Sequence, residues 1–253
     1  MQPLRKYPHA PEQGILAERL SRSLADVRET TPGLNNANRP LNGRLPIYLA
    51  DMHLHIAALK HGFSHALNDV QAHFNDSAAY TLQALREDIA MGPGQYRIYL
   101  AVANIANHAE LRSFLENAPR ERFTDPAIHA DVSAYDVCKT SAHLSANHTH
   151  DAQPLIQSAL VRLQSGQVNR YAVAALMPIL AIQAAIANGD QNGLQRAVAA
   201  RCTSFAADHK KRDTRHDPEG LLDVVALGLI AVARRVGLNV DIQSPYLPLD
   251  LLK

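Results

Sequence analysis

Asp217-Pro218-Glu219-Gly220-Leu221-Leu222-Asp223-Val224-Val225-Ala226-Leu227-Gly228-Leu229-Ile230-Ala231-Val232-Ala233-Arg234-Arg235-Val236-Gly237 decides the fold. Asp217 is a capping residue type, Pro218 suits a first helical position, and Glu219 favours the positive end of a helix dipole. Arg234 and Arg235 fit a last turn, and Gly237 supplies the stop. Between Leu221 and Ala233 the only ionisable residue is Asp223. A helix apolar nearly all round belongs inside a core, and this one is shorter than the roughly 20 residues a bilayer requires.

Outward from that helix the chain keeps the same character. Upstream, an apolar helix ends at Gly189-Asp190 and an amphipathic one runs to about Lys210. Downstream, Leu238, Val240 and Ile242 alternate like a strand, but one strand makes no sheet. The closing Ser244 to Leu252 run reads as a short extended tail that docks onto the core. Towards the N-terminus, Ile15, Leu16, Leu20, Leu24 and Val27 define a first helix, stopped by Pro32-Gly33. A polar linker covers Leu34 to Arg44. A second helix is expected from Pro46 to about Phe74, and others over 77–91, 95–117, 126–144, 154–165 and 168–188, with Pro178 kinking or dividing the last. The predicted fold is all-α: one multi-helix domain over 1–253, a helical bundle or a short superhelical stack. It leaves room for an N-terminal sub-bundle over 11–117 and a C-terminal one over 126–253.

The chain has 253 residues, enough for a sizeable core, and its 5% aromatic content without tryptophan means a core of small aliphatic side chains. A formal net charge of +1 advertises neither a nucleic-acid nor a membrane partner. The one dense basic cluster, His209 to Arg212 with Arg215 and His216, is interrupted by Asp208, Asp213 and Asp217 and reads as a solvated loop. Cys138 and Cys202 stand alone, as buried thiols in a reducing compartment do. Met1 to Leu20 has no long apolar stretch, so a cytoplasmic location is expected.

The histidines invite metal chemistry. Asp51-Met52-His53-Leu54-His55 resembles the first metal-ligand strand of amidohydrolases. Met52, Ile56, Leu59, Phe63, Leu67, Val70 and Phe74, however, keep a helical period, and on a helix residues two apart point about 200° from each other. His53 and His55 then cannot hold one ion. His150-Asp151 resembles the paired ligands of HD-type phosphohydrolases, with His143 or His129 upstream and Asp190 or Asp208 downstream, but no spacing selects them. Asp151 is better read as the N-cap of a helix beginning near Pro154. No phosphate-binding glycine loop or nucleophile elbow is present. The expectation is no metal and no cofactor, with a metal-dependent hydrolase as the alternative and a helical-repeat scaffold as a third reading.

Four pieces carry a family resemblance: Ala187-Asn188-Gly189-Asp190, the Asp217 to Leu222 helix start, Ala231 to Leu238, and the Ser244 to Leu252 close. In that order the chain resembles the C-terminal half of the Imm49 family of immunity proteins from bacterial polymorphic toxin systems. The resemblance implies a non-enzymatic inhibitor whose partner is a cognate toxin domain acting in the cytoplasm, blocked at its active site or substrate groove. On the expected second helix, Met52, Ile56, Leu59 and Phe63 should be buried. The opposite face, with Asp51, His55, Lys60, His61 and His65, is the candidate toxin-binding surface. Imidazoles combine apolar area with a donor or acceptor, which suits a polar protein interface.

Overall fold

In the computed structural model, residues 4–8, 11–34, 44–89, 91–119, 132–166, 168–211 and 217–252 are described. Six of its helices end in the same way. At Gly189 and Gly237 the backbone turns to positive φ (62° and 83°), and the next N–H reaches back five residues. Asp190 donates to the Ala185 carbonyl and Leu238 to that of Ala233, both at 2.9 Å. This closure satisfies carbonyls the helix itself leaves open. Ser64, Asp88, Asn107 and Asn147 make the same turn without glycine, at φ between 49° and 61°. There His65, Ile89, His108 and His148 donate back to Lys60, Ala84, Ala103 and His143.

These turns set the element order. The helices are α1 (Gln13–Leu34), α2 (Leu45–Gly62), α3 (Leu67–Arg86), α4 (Pro93–Ile105), α5 (Ala109–Asn117), α6 (Val132–Ser145), α7 (Thr149–Gln164), α8 (Arg170–Ala187), α9 (Gln191–Lys211) and α10 (Val224–Arg235). The all-α expectation is correct. Several boundaries are not. The helix expected from Pro46 to Phe74 is two, broken at Ser64, and the one expected over 95–117 is two, broken at Asn107. Pro178 lies inside a continuous α8, and Pro32 inside α1. Asp217 caps only a 3-10 turn, Pro218–Leu221, by accepting from the Glu219 N–H at 3.0 Å. Leu222 is extended (φ −149°), so the apolar helix begins one residue after Asp223. The Leu34–Arg44 linker and the start expected for the 126–144 helix fall largely outside the described residues, as do Arg212, Arg215 and His216 of the basic cluster.

The chain forms two compact units, neither continuous in sequence. The first holds residues 1–89, 205–223 and 244–253. In it α2 is packed by α1, α3 and the 3-10 turn at Pro218–Leu221, so it is surrounded rather than amphipathic. The buried Ser77 hydroxyl donates to the Ala50 carbonyl at 2.9 Å and fixes α3 on α2. The tail expected to be extended ends in a 3-10 turn, Leu249–Leu252; within it Tyr246 is buried, with the Tyr7 ring 5.4 Å and the Phe205 ring 5.1 Å away, and its carbonyl accepts from the Asp223 N–H.

The second unit holds residues 90–204 and 224–243. Here α10 runs against α4 so closely that a Cβ on Gly228 would lie 2.5 Å from the Ala101 Cα. The fully buried Gln183 of α8 donates to the Val137 carbonyl and the Ser141 hydroxyl of α6, each at 2.7 Å. The expected strand, Leu238 to Ile242, is irregular chain, and there is no strand among the described residues. Two glutamines one turn apart on α9 take that place: Gln191 exchanges both amide bonds with the Asn239 backbone and Gln195 with that of Asp241. By length and composition α8, with mean hydropathy 1.6, is apolar enough to cross a bilayer; its Leu176, Ile179, Leu180, Ile182 and Ile186 are buried in this unit.

Candidate functional site

The residues that carry chemistry gather on the α2–α3 hairpin. A helix running straight from Pro46 to Phe74 would hold His53 and His73, twenty residues apart, about 30 Å from each other. The turn at Ser64 folds α3 back and brings their Nδ1 atoms to 3.0 Å. Asp76, three residues after His73 and so on the same helix face, places its Oδ2 3.2 Å from His53 Nδ1. The Tyr80 ring, one turn further, lies 5.4 Å from the His53 ring. His53 is buried, and its Nε2 has no partner among the described residues, so the polar bonding described for the ring is on its Nδ1 side. Burial, then the charges of Lys60 and His53, press the His73 imidazole down to about 4, while the hydrogen bond from His53 holds the Asp76 carboxyl below the usual range.

The face selected from the sequence is only partly a face. His61 is 1% exposed, because the 3-10 turn and the docked tail close over that side of α2. Its Nε2 donates to the Pro245 carbonyl at 2.7 Å, and burial presses its pKa down to about 4, so the ring is neutral at pH 7. It therefore leaves the candidate surface. His55 stays half-buried, with Nε2 3.7 Å from Glu219 Oε1. Asp51, Lys60 and His65 are also half-buried, and His65 lies in the inter-helix turn rather than one helical turn beyond His61 on a shared face. Among the expected core residues Ile56, Leu59 and Phe63 are buried and Met52 is half-buried. His53 is the opposite case: set aside from the sequence because His55 cannot join it, it meets His73 and Asp76 instead. The legible signal was His73 and Asp76 at helical spacing i, i+3.

The second unit has a looser group. His143 of α6, His148 and Asp151 offer ligand atoms within 4.8 Å of one another, with His143 half-buried and the others exposed. His150 is not part of it. Asp151 sits in the first turn of α7 rather than at its cap, which is His148, and Pro154 lies inside the helix. The paired-ligand arrangement of HD-type enzymes is thus not reproduced at His150-Asp151. Cys138 is inert as a nucleophile: burial pushes its thiol up to about 12, and it donates to the Pro93 carbonyl. A shallow concavity of about 430 Å³ over α5, lined by Glu110, Ser113, Phe114 and Asn117, brings together no set of catalytic groups.

The described chain is all-helical, and Tyr246 of its tail is buried in the first unit. The family comparison gives the class a name: the model of immunity protein 49 matches residues 64–251, and the chain belongs to that Imm49 family. The match takes in α3 through α10 and the tail, far more than the four pieces visible by eye. No curated protein and no solved structure matches the chain.

Proposed function

We infer that this protein binds one cognate bacterial toxin domain in the cytoplasm and neutralises it without chemistry, by covering the toxin's active site or substrate groove. The observation that carries this reading is the family match over most of the chain. Family membership implies an immunity protein and, with it, a toxin partner. A polymorphic toxin reaching that compartment would act on nucleic acids, nucleotides, NAD or the translation machinery.

A stable inhibitor interface buries roughly 1,200–2,000 Å² in total and concentrates its affinity in a few aromatic and arginine side chains. Two surfaces supply material for it. Asp51, His55, Lys60 and His65 remain as half-buried polar residues of the first unit. On the second unit, Tyr171 in the first turn of α8 is 63% exposed, with the Arg170 guanidinium 4.9 Å from its ring centre, and Val161 near the end of α7 is 67% exposed. An exposed aromatic beside an arginine is the commoner type of anchor.

Co-expression with the toxin encoded beside this gene should restore growth, and the two proteins should co-purify. Tyr171→Ala and the triple replacement of His55, Lys60 and His65 by Ala separate the two surfaces. Loss of rescue in one variant with a folded protein assigns the contact. Absence of both rescue and complex with the wild-type chain would overturn the reading.

A further inference from the structure

We propose that His53, His73 and Asp76 form a binding site for one divalent transition-metal ion of the zinc class, bridging α2 and α3. This goes beyond toxin binding and departs from the expectation of no metal drawn from the sequence.

The spacing suits an ion. Zinc binds imidazole nitrogen and carboxylate oxygen at about 2.0–2.2 Å, so two ligands on one ion stand roughly 3.0 Å apart in octahedral and 3.4 Å in tetrahedral geometry. His53 Nδ1 is 3.0 Å from His73 Nδ1 and 3.2 Å from Asp76 Oδ2, and the three residues each offer a ligand atom within 4.8 Å of the others. Small side-chain rotations of the two α3 residues complete the set.

The hydrogen bonding among these groups is also incomplete by itself. A single proton on His53 Nδ1 can point at the Asp76 carboxylate or at His73 Nδ1, but not squarely at both. If it serves the carboxylate, the two imidazole nitrogens face each other without a full bond between them. A cation satisfies all three lone pairs at once. Two imidazoles and one carboxylate favour zinc and its neighbours over calcium or magnesium, which take oxygen sets.

The scaffold holds the ligands in place. His53 is 5% exposed and flanked by the His73 and Tyr80 rings, so its orientation is set before an ion arrives. Ser77, adjacent to Asp76, bonds to the Ala50 carbonyl and locks the register of the two helices. Asp76 has a side chain 52% exposed, which gives an entry path and leaves coordination positions for water. Burial and the charge of Lys60 keep His73 neutral, the form that binds an ion, while Asp76 and Asp69 partly offset Lys60. The His143, His148 and Asp151 group has no buried member and no such lock, and serves as the internal control.

The test uses the full chain, produced without a histidine tag and stripped with a chelator. Zn²⁺ is titrated in competition with a chromophoric chelator, and Co²⁺ is added separately to read visible d–d absorption. One equivalent of zinc per chain is expected, with affinity lowered at least tenfold in both His73→Ala and Asp76→Ala and unchanged in His148→Ala. Both α3 positions are accessible enough to change without opening the core, and circular dichroism confirms the fold of each variant. A zinc-dependent rise in melting temperature, lost in the same two variants, supports the same site. No bound equivalent, or equal affinity in wild type and His73→Ala, overturns the proposal. So does binding that disappears in His148→Ala instead. None of these readouts involves the toxin, so the metal site and the immunity reading stand or fall separately.

Discussion

The α2–α3 hairpin of the first unit and the α4–α10 pair of the second bury their helices by opposite means. In the hairpin, ionisable rings occupy the interior: His53 and His61 are 5% and 1% exposed and depend on partners from other segments. In the α4–α10 pair the contact is a seam of small residues, Gly228 on Ala101, and the polar groups buried in that unit include the neutral amides of Gln183 and Asn104. A core closed by buried imidazole is sensitive to protons. A seam of glycine on alanine is sensitive to added volume.

The largest effect that follows is a pH effect on the first unit. His61 titrates at about 4 in the folded chain and near 6.5 when unfolded, so the unfolded state binds more protons between those values. Its contribution is complete above about pH 6.5 and is lost as pH falls towards 4, amounting to ~3 kcal/mol. His73 shifts in the same direction and adds a smaller, water-screened share. Denaturant titrations of chelator-treated protein at pH 7, 5.5 and 4.5 should show this fall, and His61→Gln should flatten it. A wild-type profile flat over that range would remove the contrast.

Next in size is Gly228→Ala, whose Cβ meets backbone rather than a flexible side chain. It should destabilise the chain by about 2 kcal/mol at every pH, read as a shifted denaturation midpoint. A pH-dependent loss would mean that the seam is coupled to titrating groups. Replacing Gln191 and Gln195 together by Ala removes the side-chain partners of the Asn239 and Asp241 backbone and should cost about 1 kcal/mol, with faster amide exchange at those two positions. The smallest effect has the opposite sign. Ser64 carries an L side chain at φ 57°, so Ser64→Gly should stabilise the hairpin by about 0.5–1 kcal/mol. Destabilisation there would show that the serine side chain has a role beyond the turn.

The same two regions show what the sequence disclosed. Gly189 and Gly237 announced their helix ends because glycine is the ordinary residue for positive φ, and α8, α9 and the C-terminal end of α10 were read from them. Ser64 and Asn107 make the same turn without that signal, and the apolar period carries on past both, so each pair of helices read as one. That error hid the histidine group, since only the folded hairpin brings His53 to His73. It also misplaced His61: a period-based stripe implies a solvent side, but α2 is packed by α1, α3 and the 3-10 turn, and on the side assigned to solvent His61 meets the Pro245 carbonyl. Burial on several sides at once is a property of the assembled unit. Ile56, Leu59 and Phe63 were legible as core for the converse reason, lying on the stripe that any packing of this helix would cover.

The central claim is that the chain neutralises a toxin by binding it. The most direct test titrates purified protein into the toxin encoded beside its gene while the toxin's own activity is followed. The account predicts that activity falls linearly to zero at one equivalent, in chelator-treated protein as well as in untreated protein. Full toxin activity at several equivalents, or inhibition that proceeds catalytically at far below one equivalent, would contradict it.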